Sequence, residues 1–210
     1  MVAPTTVVNA ILSGALLGIF YALVASGFSI VWASMKLVNV AHAALVFFAG
    51  YVAITLVSGF GVPWLLALAV IVPFTFLVGG VLYQGVLSYS YATENFETVS
   101  LVATFGLAIV VENLLLWQYG PAQKKATVGF GGTIEVVGLR LGSLRIVGAV
   151  FALLATLALY YIIYKTPIGR SVRAAWQDQE VAMLYGVNPD RARIVVFGLA
   201  TALAGLAGVL

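Results

Sequence analysis

Between Met1 and Thr93 the chain carries one charged residue, Lys36. Residues 146–164 and 194–210 hold none, and Glu112 alone interrupts the stretch from Glu97 to Lys124. A helix crosses a bilayer core with about 20 apolar residues. The charge-free runs predict six such helices, over 7–32, 40–58, 63–87, 99–118, 146–164 and 194–210. The runs are continuously apolar and lack the strict alternation of barrel strands. The first run lacks a basic leader and is too long for a signal peptide, so it is read as a retained helix.

Composition agrees. Only 8% of the 210 residues are charged, where a soluble domain has roughly 25%. Mean hydropathy is +1.12. These values exclude a water-soluble globule and a disordered chain. With no cysteine, a disulfide-stapled secreted fold is excluded too. The net charge of +3 is small and scattered, unlike a nucleic-acid-binding surface. The predicted fold is an all-α polytopic bundle. One small β-hairpin, Ile134–Val137 against Leu139–Leu141, is expected in the Gly-, Thr- and Val-rich loop 126–146.

Six spans force the loops to alternate. Loops 33–39, 88–98 and 165–193 share one side and carry six basic residues; Lys124, Lys125, Arg140 and Arg145 lie on the other. The positive-inside rule, six against four, then points to an N-terminus outside and 165–193 in the cytoplasm. The last apolar run stops at Leu210 without a polar exit, and a chain truncated there is the expectation.

Small residues recur every fourth place in the first span (Ala10, Gly14, Gly18, Ala22, Ser26) and the last (Ala200, Ala204, Gly208). Such stripes let helix backbones approach closely in lipid. In the fourth span Ser100, Thr104, Ala108 and Glu112 follow the same spacing. They form either the polar lining of a translocation path or a face whose Glu112 reaches headgroup water. Asn39 and His42 open the second span. An N-cap role is one reading, a place on a solute path a second, and metal ligation a third that lacks companion ligands.

The segment 165–193 is the most informative. Thr166-Pro167 predicts a capped helix start, Gly186 with Val187 a helix stop, and Asn188-Pro189 a second start. One short amphipathic helix is expected between the stops. Its mixed charges, Arg173, Asp178 and Glu180, suit a protein partner better than headgroups.

Glu180-Val181-Ala182-Met183-Leu184-Tyr185-Gly186 resembles the E-A-A-x-x-x-G loop of ABC importer permeases. Thr166-Pro-Ile-Gly169-Arg170, Arg173-Ala174, Gly186-Val-Asn188 and Asp190-Arg191 are similar to permeases for branched-chain amino acids and their urea and amide relatives. So are Gly18-Ile-Phe-Tyr21-Ala22-Leu23, Gly27 and Asn39-Val-Ala41-His42. The pattern departs at Ala43, usually Gly, at Val181, usually Ala, and in the loop after the third span, often basic in relatives.

The resemblance implies one multi-pass transmembrane permease domain over 1–210 in a bacterial-type inner membrane, with a cytoplasmic coupling loop at 165–190 docking on an ATPase. The coupling residues would be Arg173, Glu180, Ala182, Met183, Leu184 and Gly186, with Ala182 at the partner's closest approach. The expected path residues are Asn39, His42, Thr104 and Glu112. Partners would be a related permease subunit in a heterodimer, two cytoplasmic ATPases and an extracytoplasmic solute-binding protein. The chain itself would be no enzyme and hold no cofactor, ATP being bound by partners; no phosphate-loop motif occurs. The expected solute is a branched-chain or other hydrophobic amino acid, with urea or a short amide as the alternative. An ion-coupled secondary transporter is the rival from another class, and an intramembrane enzyme is a further one.

Overall fold

The computed structural model describes residues 4–122, 132–136 and 139–210. Among the described residues eight α-helices follow in order: α1 (Pro4–Met35), α2 (His42–Ile54), α3 (Trp64–Leu82), α4 (Phe96–Tyr119), α5 (Ser143–Lys165), α6 (Pro167–Gln177), α7 (Gln179–Leu184) and α8 (Pro189–Val209). Six stretches are long and apolar enough to cross a membrane: α1, α2, α3, α4, α5 and α8, with the second and third extended by π-helical and 3₁₀ turns. The protein is an all-α polytopic membrane bundle. The last span starts at Pro189, five residues earlier than the charge-free run, so Arg191 and Arg193 lie inside α8.

The hairpin is present. Strands β1 (Thr133–Val136) and β2 (Leu139–Gly142) run antiparallel, pairing Thr133 with Gly142 and Val136 with Leu139. Val137 of the expected first strand, Lys124 and Lys125 lie outside the described residues.

Helix α8 is the axis of the bundle and packs on α1, α2 and α3. Its small-residue stripe makes this possible: Ala200 and Ala204 are fully buried. A Cβ at Gly208 would collide with the Val46 carbonyl of α2, and one at Gly50 would lie 2.9 Å from the Gly208 carbonyl. Without lipid-driven hydrophobic attraction between helices, such close backbone contact supplies the cohesion.

The stripe on α1 behaves differently. Ala10, Gly14, Gly18 and Ala22 are exposed, and nothing lies within 4 Å of a Cβ built at Gly14 or Gly18. The buried face of α1 is instead Leu23, Gly27, Ile30 and Val31. Each i,i+4 step turns about 40° past a full circle on a helix of 3.6 residues per turn. A five-member stripe therefore winds around the helix and does not mark one face.

The loops 36–41, 88–95 and 166–188 meet at one end of the bundle, as alternation required. Tyr91 donates to the Met35 carbonyl at 2.8 Å, and the Arg193 guanidinium lies 4.0 Å from the Tyr91 ring centroid. The largest apolar cluster sits here, built around Val31, Leu37, Tyr83, Leu87, Val172 and Phe197.

Candidate functional site

Two groups of residues stand out, one at the loop-rich end and one inside the bundle. The first is bounded by three helix caps. Thr166 accepts from the Gly169 N–H at 3.2 Å and opens α6 with Pro167 at its first position. Asn188 accepts from Arg191 N–H at 3.1 Å and opens α8. Gly186 adopts φ +78°; its N–H donates to the Met183 carbonyl at 3.0 Å, and that of Val187 to the Ala182 carbonyl at 3.1 Å. This is the Schellman arrangement, and glycine supplies the positive φ at no steric cost.

Between these stops lies a break that the periodicity did not reveal. The expected single helix is two. Asp178 leaves helical geometry at φ −155° and its carboxylate accepts from Val181 N–H at 3.0 Å, starting α7. Local competition of an Asp side chain for the backbone outweighs the continuous apolar spacing. The signal was legible in Asp178 followed two places on by Glu180, an acidic first turn.

The coupling candidates divide by exposure. Leu184 is 85% exposed and Tyr185 84%, with Val181 and Met183 half-exposed beside them. Glu180 is exposed as well. Ala182 is 3% exposed, its side chain buried against its own chain. In a helix of one and a half turns, the capped carbonyl end of Ala182 folds inward while Leu184 and Tyr185 point away. Arg173 also turns toward its own chain: it donates to the Ile163 carbonyl and lies 5.3 Å from the Tyr164 ring centroid.

Arg193 was missed as a site residue. Its guanidinium donates to Asp190 at 2.9 Å and to the Gln179 side chain at 2.6 Å, besides covering Tyr91. Tyr83 donates to the same Asp190 at 3.4 Å. One side chain thus ties α7, α8 and the 88–95 loop together. Asp190 and Arg193 at i,i+3 were a visible pair; the reach to Gln179 and Tyr91 is tertiary.

The inner group gathers Asn39, His42 and Thr104. His42 Nε2 donates to the Val24 carbonyl of α1 at 3.1 Å, which leaves Nδ1 as the acceptor of the neutral ring. Thr104 accepts from Val40 N–H at 3.3 Å and reaches the Val38 and Leu101 carbonyls, each at 3.1 Å. It fastens α4 to the linker before α2. Asn39 does not cap α2: the N-cap is Ala41, with no side-chain cap bond. Asn39 is 1% exposed, and both its side-chain polar atoms, with His42 Nδ1, lack a hydrogen-bond partner among the described residues. Glu112 is not part of this group. Ser100, Thr104 and Ala108 are buried, but Glu112 is exposed, about 120° around the helix from Ser100 after three i,i+4 steps. Among the described residues no three His, Asp or Glu side chains gather as a metal site.

A family model described as "Branched-chain amino acid transport system / permease component" matches residues 10–210. The chain belongs to this permease family. It is 26% identical to the high-affinity branched-chain amino acid transport system permease protein LivH of Salmonella typhimurium, over 94% of this chain and 68% of that protein. LivH of Escherichia coli K12 matches with the same identity and coverage. BraD of Pseudomonas aeruginosa is 25% identical over 95% of this chain and 69% of its own. No solved structure matches. The family is a transport permease family, and this member is a multi-pass membrane protein by its six apolar helices.

Proposed function

We propose that this permease-family chain is the membrane subunit of an ABC importer. It carries a branched-chain or other hydrophobic amino acid by alternating access, driven by ATPases that dock on α7. The loop-rich end then faces the cytoplasm and the N-terminus lies outside. A related permease subunit completes the pathway, and an extracytoplasmic binding protein delivers the solute. The observation that carries this reading is α7: a capped six-residue helix presents Leu184 and Tyr185 to the outside while Gln179 is bonded through Arg193 to the central helix. A push on the exposed apolar tip reaches α8 through Arg193. Inside, Asn39 and His42 Nδ1 hold buried polar atoms that a polar solute or water can satisfy in another state of the bundle.

The test is Leu184→Asp with Tyr185→Asp. Both positions are exposed, so the subunit should insert and purify normally. Recovery of the ATPase in a pull-down and uptake of labelled leucine should both fall at least tenfold, as for loss of an apolar anchor. Normal ATPase recovery and uptake would remove α7 as the docking element.

A further inference from the structure

The break at Asp178 also separates charge by sign. From Lys165 to Gln177 there are three cations, Lys165, Arg170 and Arg173, and no acid; Asp178 and Glu180 open α7. The mixed charge of the whole segment therefore belongs to neither helix. Considered alone, α6 is a basic amphipathic helix with Gly169 and Val172 buried and Ile168, Arg170 and Ser171 exposed. Lys165 and Arg170 have no ion-pair partner among the described residues.

Beside α6, a groove of about 290 Å³ runs between α1 and α5. Ser26 and Ala33 line one wall, Thr156 and Tyr160 the other, and Tyr164 with Trp176 of α6 stand at its basic end. The Ser26 and Thr156 hydroxyls are turned back to their own helices, on the Ala22 and Ala152 carbonyls at 2.6 and 2.9 Å. Apart from the Ser29 hydroxyl and the phenol oxygens of Tyr160 and Tyr164, the walls present carbon, which suits an acyl chain better than a polar solute. Ala33, Tyr160 and Tyr164 are exposed on the outside of the bundle, so the groove is reached sideways from the hydrocarbon. At its end the Arg173 guanidinium lies over Tyr164, one residue before Lys165. A tyrosine, a tryptophan and unpaired cations at a span terminus match the depth of lipid headgroups.

We infer that this corner is a binding site for one anionic phospholipid. Its phosphate is held by Lys165 and Arg170 with Arg173, and one acyl chain lies in the α1–α5 groove. This site rests on the membrane fold alone and not on the ATPase reading of α7. It makes α6 the helix that rests on headgroups and α7 the one that leaves them.

The full chain can be purified into mixed micelles holding equal phosphatidylglycerol and phosphatidylcholine, and retained lipid counted by native mass spectrometry. Phosphatidylglycerol should be retained preferentially. Each basic side chain near an anionic surface contributes roughly a fivefold preference. Lys165→Gln with Arg170→Gln should therefore cut the preference on the order of twentyfold while the protein stays monodisperse. Ala33→Trp, which fills the groove without touching a charge, should lower retention of both lipids. A diazirine placed on the acyl chain of phosphatidylglycerol should crosslink to α1 and α5 peptides containing Ala33 and Tyr160. Equal retention of the two lipids, an unchanged preference in the double variant, or crosslinks spread over all spans would each overturn the site. So would subunit-to-subunit crosslinking from cysteines at Ala33 and Tyr160 with no lipid adduct, because the groove would then be covered by protein.

Discussion

Helices α1 and α8 carry the same sequence signature and meet opposite fates. Both repeat small residues every fourth place, yet 56% of the apolar stretch of α8 is buried against 6% of that of α1. On α8, Gly205 and Gly208 sit where a Cβ would strike Thr75 and the Val46 carbonyl; on α1, Gly14 and Gly18 face open space. A small-residue stripe permits close approach but does not select the partner. The difference comes from position in the bundle. Helix α8 is surrounded by α1, α2 and α3, whereas α1 leans on α5 and α8 with the half of its length that contains Leu23, Gly27 and Ile30.

The hardest way to break this comparison is on α8. Gly205→Leu should prevent folding of the chain itself, because overpacking costs about 1–3 kcal/mol per misfit and Thr75 is buried and cannot retreat. Loss of monodisperse protein in detergent is the expected result; a normal yield would show that α8 is not held as described.

A smaller effect is expected at Arg193. Arg193→Met keeps the aliphatic stem but removes the bonds to Asp190 and Gln179 and the Tyr91 contact. The loss should amount to roughly 1–3 kcal/mol, measured as a lowered thermal midpoint, since hydrogen bonds to charged groups fall in that range. Trypsin should cut faster at Arg191, beside the released α7, than in the parent.

Thr104→Val should cost about 1 kcal/mol, the net value of a typical hydrogen bond, because it frees Val40 N–H and the Val38 carbonyl at the α4 junction. An unchanged unfolding midpoint would show that α4 is held by its apolar contacts alone.

The smallest effect sharpens the comparison most. Gly18→Leu should leave the stability of the isolated chain within about 0.5 kcal/mol, as for a surface substitution. A destabilisation of the size expected at Gly205 would mean that the outward face of α1 is packed after all.

Much was legible in the residues alone. Spans, alternating loops, the hairpin and the three caps at Thr166, Gly186 and Asn188 all follow from local chemistry, and the family from the resemblance of the motifs around Gly186 and His42. Charge-free length sets the span, and proline, glycine and asparagine act on the backbone within a few residues of themselves. The break at Asp178 was local too, and was hidden only because apolar spacing continued across it. Direction was not legible. That Ala182 turns inward while Leu184 and Tyr185 turn outward, that Glu112 leaves the face of Thr104, that the Asn39 side chain ends buried without a partner among the described residues and that Arg193 joins three elements all depend on which helices become neighbours. In a chain whose spans are apolar on every side, periodicity cannot mark a buried face. Close contact between backbones chooses it, and those contacts join residues such as Gly50 and Gly208, 158 positions apart in the chain.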